Sequence, residues 1–467
     1  MPTPIALLAL ALGILALSVT GAGAGAPSID DVVFDADGEP GRVLVQRRAA
    51  LPSGQTLVLS PNKDYAGRPL PPVRPTHRPV APRRVRVLFD AGSHAALTIR
   101  AGARLVVEGT AAQPVEWATL TPDPPFKPVL TLAGGCRGRV QDASFVNVAL
   151  QVEGSGHVLS RVSVQYAGDQ PAFTFAGAEG SFRRLFAHHS TWGFSFQPLG
   201  DSPCDLSIAD SCIRSCAKGG PGAFYASGSA LQGVPAPGGK KHRVRFRRVD
   251  WDPSWDALEG VELQASGSRP RIVAIGDSIV QGSDGYVNFW EYFAGNDDIE
   301  HAWPYVLQQR VPRFFVVNKG EGGDTTAGML GRLTDITGKV KPRLCYLGGG
   351  TNDLGGGRTP EQVVASFREM WRRLREADIV PIQLAITPDS RLDDRAPRIV
   401  RANALLRQAC AESGVRFEDT YTPLLDDAGR GLRKLYDSGD GLHLSKAGYQ
   451  RVGEFLANSF LELPPVR

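Results

Sequence analysis

Apolar in-out-in triplets recur at a near-constant interval through the first half of this chain, and that recurrence limits its possible folds more than any other feature. Leu130/Leu132, Leu150/Val152, Phe173/Phe175 and Phe194/Phe196 follow one another at intervals of 20, 23 and 21 residues. A second set, Val140, Leu159, Phe182 and Leu206, recurs at 19, 23 and 24. Alternation at period two marks a strand with one buried face. A unit of about twenty residues with several such strands and no helix-period segment cannot bury its apolar face alone, so neighbouring units stack and share a core. The spacing predicts an all-β parallel β-helix over residues 27–265. A β-sandwich is the alternative, which irregular strand spacing would fit better.

The composition agrees: 53 Gly and 35 Pro favour turn-rich β structure. Pro61 to Pro82 reads as a loop, and the Gly/Pro-rich stretch Gly219 to Gly239 as an excursion between late turns. Ala95 to Leu120, AALTIRAGARLVVEGTAAQPVEWATL, resembles the opening coils of bacterial right-handed β-helix proteins. Two features inside this region invite functional readings. His188-His189 lies beside Trp192, Phe194 and Phe196, which favours packing within a turn, with sugar contact as the alternative. Lys240 to Arg248 alternates basic and apolar residues, as an edge strand with a solvated basic face does; contact with an acidic polysaccharide is the sharper reading.

After Ser266-Gly267-Ser268 the pattern changes. Arg271–Ile275, Phe314–Val317, Leu344–Leu347 and Val380–Leu384 are short apolar strands, and Pro360–Ala377 and Arg398–Ser413 carry apolar residues at helical spacing. Strands alternating with helices predict a three-layer, flavodoxin-like α/β domain with a parallel sheet over 270–463.

Four segments of this domain carry chemistry. Gly276-Asp277-Ser278, Asn318 to Thr325 (with Gly322, Gly323 and Asp324) and Gly348 to Asp353 (with Asn352) each follow a predicted strand, where α/β sheets form their sites. Asp440-Gly-Leu-His443 lies near the chain end. A serine hydroxyl needs a base within hydrogen-bond reach to become a nucleophile. His443 is suited to that task, and Asp440, three residues earlier, can orient its ring. In this order, and with Trp303-Pro304 and Asp324-Thr325-Thr326 between them, the segments resemble the SGNH (GDSL) hydrolase family from Arg271 to about Phe460. The resemblance implies Ser278 as nucleophile, His443 as base and Asp440 as its orienting carboxylate. It further implies Ser278 N–H, Gly323 N–H and the Asn352 side chain as oxyanion donors, with Gly322 as the alternative glycine. Asp277, Asp324 and Asp353 read as braces of their loops. Such chemistry requires no metal or organic cofactor.

Residues 1–26 read as a signal peptide: Ile5 to Val19 is apolar, and small residues offer cleavage between Ala24 and Ala26. This predicts a secreted or periplasmic protein without an integral membrane segment, and the net charge of +4 is too small to suggest nucleic acid. Export permits disulfides among Cys136, Cys204, Cys212 and Cys216; Cys212-x3-Cys216 reads as a disulfide or buried thiols in preference to half a zinc site, and Cys345 and Cys410 lie in the α/β segment. The expected activity is hydrolysis of O-acyl, in particular O-acetyl, esters on a carbohydrate or polysaccharide that the β-helix domain would bind. A lipid or thioester acyl hydrolase is the first alternative, against which the acidic stretch Ser283 to His301 speaks. A glycan-binding or adhesive surface protein is the second.

Overall fold

The computed structural model describes residues 32–34, 42–63, 67–69, 85–90, 95–120, 127–214, 230–282, 301–391, 395–429 and 431–461. The signal-peptide segment, Cys216 and most of the Pro61–Pro82, Gly219–Gly239 and Ser283–His301 stretches lie outside them.

The N-terminal region is a parallel β-helix in which each turn contributes a strand to three parallel ladders. One ladder stacks Ala49, Leu97, Leu130, Leu150, Phe173, Phe194 and Leu231 directly upon one another. Its inward partners two residues on, from Leu51 and Ile99 to Phe175 and Phe196, do the same, so the period in the sequence is one turn of the helix. The stacked side chains are buried, and they meet ring to ring: Phe173 against Phe194 edge-on at 5.3 Å, Trp117 on Phe145 at 5.1 Å. Val140 and Leu159 are in register as the spacing requires. Leu206 is not the next member of that column: it faces Gly180, and Phe182 pairs with Ile208. A small excursion closed by Leu199 and Ser202 intervenes before this strand and resets the count. The strand His242–Arg247 buries His242, Val244 and Phe246 and exposes its three arginines, but it is interior, paired on both sides, and not an edge.

One corner of the helix carries a column of charged residues in left-handed conformation: Asp142, Arg161, Arg184, Asp210 and Arg248, with φ between 52° and 55°. Such a φ costs a residue with a Cβ about 1–2 kcal/mol. The column recovers part of this through charge. Arg161 grips Asp142 with two bonds of 2.5 and 2.6 Å, and Arg248 donates to Asp210 at 2.6 Å.

The second domain holds a five-stranded parallel sheet. Its strands are β1 (Arg271–Gly276), β2 (Phe315–Gly320), β3 (Leu344–Leu347), β4 (Val380–Leu384) and β5 (Arg416–Glu418), in the order β2-β1-β3-β4-β5. Apolar clusters on both faces are closed by helices, among them Pro360–Glu376, which buries Val363, Phe367, Met370, Trp371 and Leu374 behind a Thr359/Gln362 capping box. β2 begins one residue later than its apolar run and continues to Gly320, because parallel pairing with β1 extends through Lys319 to Gly320, opposite Gly276. β5 has only three residues and no apolar run to announce it.

The last turns of the β-helix cover the β2 edge of this sheet. Cys212 joins the apolar cluster beside Val317 and Phe315. Arg214 lies 4.6 Å over the Phe315 ring and donates to Gln308 at 2.6 Å, while Arg271 lies 4.9 Å over Trp251. Val316, whose N–H would otherwise face outward, donates to Gln308 at 2.9 Å. Among the described residues Cys136, Cys204, Cys212, Cys345 and Cys410 are free and buried, and burial pushes the Cys204 thiol up to about 11. No helix among the described residues is long and apolar enough to cross a membrane.

Candidate active site

β1 delivers Ser278 to the carboxyl edge of the sheet. Its last residue must be glycine, since a Cβ on Gly276 would stand 2.3 Å from Val280 and 2.5 Å from the Gly348 carbonyl. Asp277 follows, and its carboxylate accepts from the Ile279 N–H at 3.0 Å, capping the short helix Ser278–Gln281 at whose first position the serine sits.

Across the sheet edge, the loop before the helix Lys446–Leu461 brings His443 to Ser278, Oγ to Nε2 2.9 Å. The other ring nitrogen, Nδ1, lies 2.5 Å from Asp440 Oδ2. Asp440 Oδ1 accepts from the His443 and Leu442 N–H groups at 2.8 and 2.9 Å. Burial pushes this carboxyl up, but the hydrogen bonds from the His443 ring and from the two amides outweigh it and hold Asp440 below the usual carboxylate range. An ionised acceptor there fixes Nδ1 as the protonated nitrogen and leaves Nε2 to take a proton from the serine.

The other two loops form the remaining walls. Glu321 to Asp324 is a turn closed by Asp324 N–H to Glu321 O at 3.1 Å, with Gly323 at φ +77°, the conformation that type II turns reserve for glycine at this position. Gly323 is exposed and Gly322 is its neighbour in the same turn. Asn352 lies in the first turn of the helix Thr351–Gly355 and donates one amide hydrogen to the Asp324 carbonyl at 2.8 Å, which ties the Asn352 loop to the Gly323 turn and leaves Nδ2 a second hydrogen.

The acidic neighbours brace these loops. Asp353 is buried and accepts from Thr326 N–H and Oγ1 at 2.8 and 2.7 Å and from Arg358 at 2.7 Å. Asp324 accepts from the Thr325 N–H at 2.8 Å and from Arg332 Nε at 2.9 Å. Burial pushes the Asp277 carboxyl up to about 6; the Ile279 amide and His443 work against this, the Asp324 and Asp353 charges with it. Trp303 is buried, its ring edge-on to Tyr346 at 5.9 Å.

Arg332 carried no signal in the sequence. From the helix Thr326–Asp335 its guanidinium donates to Gly276 O at 2.9 Å and Lys319 O at 2.6 Å, binding the ends of β1 and β2 to Asp324. In the β-helix, His188 is stacked on Phe186 and held near 4 by burial and the nearby Arg214 charge; the side chain of His189 lies outside the described set.

A Ser–His–Asp chain at the carboxyl ends of a parallel α/β sheet, with a glycine turn and an amide side chain beside it, defines the class of serine ester hydrolases. Residues 274–451 match the GDSL-like Lipase/Acylhydrolase family and are a GDSL/SGNH hydrolase domain, a carboxylic ester hydrolase. Esterase TesA of Pseudomonas aeruginosa is 26% identical over 163 residues, 34% of this chain and 77% of that protein. Among solved structures, that of TesA is 23% identical, covering 42% of this chain and 99% of its own with a TM-score of 0.34. Est24, a carbohydrate acetylesterase from Sinorhizobium meliloti, is 15% identical over 41% of this chain and 99% of its own, TM-score 0.34. The M. smegmatis aryl esterase is 17% identical over 42% and 100%, TM-score 0.35.

Proposed function

We propose that the protein is an exported esterase that removes O-acetyl groups from a polysaccharide, with Ser278 as nucleophile. The observation that carries the chemistry is the unbroken chain from Ser278 Oγ through His443 to Asp440, at 2.9 and 2.5 Å. Ser278 attacks the ester carbonyl while His443 Nε2 accepts its proton, and Asp440 stabilises the imidazolium. The carbonyl oxygen, now an anion, is received by the N–H groups of Ser278 and Gly323 and by Asn352 Nδ2. Such donors act where charge develops, each worth about 2.7–4 kcal/mol of barrier. Collapse breaks the bond to the sugar oxygen, which takes the proton from His443 and leaves as a hydroxyl. Water, deprotonated by the same ring, then releases acetate and regenerates the serine.

The carbohydrate part of the proposal is supported by the β-helix. The ladder that stacks Leu130 on Leu150 presents Thr98, Thr131, Gln151 and Thr174 in register on its outer side, with Gln232 two turns further on beyond the buried Ser195, a neutral strip of hydroxyls and amides. Hydrogen-bonding groups in a row, one per turn, suit an extended hydroxylated chain. Export is supported by the apolar run Ile5 to Val19.

The test is acetate release from acetylated xylan, acetylated pectin and p-nitrophenyl acetate by wild type and Ser278→Ala. Ser278-dependent release from a polysaccharide is expected. No Ser278-dependent release from any of the three would overturn the assignment of Ser278, and turnover confined to longer acyl chains would move the substrate to lipids or thioesters.

A further inference from the structure

Lys319 lies at the end of β2, one residue before the strand stops and four before Gly323. Its ammonium leaves the sheet and pairs with Asp252 in the last turn of the β-helix, with side-chain exposures of only 6% and 2%. The same ammonium stands 4.6 Å from the centre of the Trp255 ring. Asp252 is oriented for this, because its Oδ1 accepts from Ser254 N–H and Oγ at 3.0 and 2.7 Å. The Lys319 backbone faces the other way: its carbonyl receives Arg332, which also holds Gly276 O and Asp324. The Glu321 N–H bonds Gly276 O at 2.9 Å. The segment entering the Gly323 turn is thus held from both sides, by Arg332 from within the α/β domain and by Asp252 and Trp255 from outside it.

We propose that Asp252 and Trp255 are positioning residues of the esterase site: the β-helix end holds Lys319, and through it the Glu321–Asp324 turn that offers the Gly323 N–H to the oxyanion. A buried charge pair is a sensitive anchor, since removing one partner leaves the other uncompensated and forces the segment to move. A displacement of about 1 Å at a catalytic group can cost on the order of a hundredfold in rate. The inference rests on the proposed role of Gly323 and makes the β-helix part of the hydrolytic machinery as well as a platform for substrate.

The experiment uses the full chain with p-nitrophenyl acetate, and phenylboronic acid as a mimic of the tetrahedral state. Asp252→Asn, which keeps shape and removes the charge, is expected to lower kcat about tenfold or more with KM within about twofold, and to weaken boronate inhibition by a similar factor. Lys319→Met should do the same. Trp255→Leu, which leaves the ion pair, should give a smaller loss of the same kind, and it carries the test with Asp252→Asn should Lys319→Met fail to fold. Arg269→Ala breaks a second ion pair at the domain junction, between the connecting segment and Asp250 at 2.7 Å, away from the turn; it should lower Tm and leave kcat unchanged. Folded Asp252→Asn with wild-type kcat and boronate affinity would overturn the proposal, as would an equal loss of kcat in Arg269→Ala. Absence of Ser278-dependent turnover in the wild type would instead remove the reading on which it stands, and that result is visible without any interface variant.

Discussion

Asp353 grips Thr326 twice, one carboxylate oxygen on its N–H at 2.8 Å and the other on its hydroxyl at 2.7 Å, so the Asn352 loop and the helix after the Gly323 turn move as one body. Asp353→Ala would remove the acceptor of both Thr326 donors and the carboxylate partner of Arg358, which would keep only the neutral acceptors Thr326 Oγ1, Gln362 O and Ser366 Oγ. With the arginine about one-third exposed, the expected loss is about 3 kcal/mol, at the lower end of the range for a broken buried pair. Urea denaturation measures it. Because the two loops proposed to receive the oxyanion then drift apart, kcat should fall while KM changes little.

Asn352→Ala tests the side-chain donor directly. The expected loss is about 10²–10³ in kcat with KM nearly unchanged, since the bond forms fully only with the tetrahedral state. Asn352→Asp should be at least as poor, because a carboxylate repels the oxyanion and can no longer donate to the Asp324 carbonyl. Steady-state kinetics decide; a loss confined to KM would assign Asn352 to ground-state binding.

Asp277→Asn should change the pH dependence of stability. Burial raises the folded carboxyl from 3.8 to about 6. Between those values the folded state keeps a proton that the unfolded chain has lost, so wild-type stability falls as pH rises through that window. Asparagine keeps the cap to Ile279 and has no proton to lose. The stability of the variant relative to wild type should therefore increase from pH 4 to pH 7, by up to about 3 kcal/mol for two pH units. Parallel denaturation midpoints at both pH values would contradict it.

Arg184→Asn should stabilise the β-helix. Arg184 holds φ +55° in the corner column, a conformation asparagine accepts more readily than arginine. The expected gain is about 0.5–1 kcal/mol, read as a higher Tm of the full chain, with esterase kinetics unchanged.

Much of the architecture is legible in the sequence. The triplets from Leu130 to Phe196 are in register because alternation at period two and stacking of equal turns are local demands on sterics and burial. The order of the Ser278, Gly323, Asn352 and His443 segments, three of them after apolar strands, likewise announces a site at the carboxyl ends of a parallel sheet. Counting residues fails where a turn changes length, as at Leu206, whose stacking partner is Gly180. It fails again at Lys240 to Arg248, whose alternating arginines look like edge protection although the strand has neighbours on both sides.

What the sequence by itself determined, then, is the repeat, the two-part division and the residue types of the site, since each is written in spacings within one strand, turn or loop. The tertiary structure alone decided the 2.9 Å approach of Ser278 to His443, 165 residues apart, the three-way grip of Arg332, and the pairing of Lys319 with Asp252 across the domain junction. The physical reason is that a charge or a proton acceptor acts over a few ångströms of space, and only the closed chain sets which residues share them.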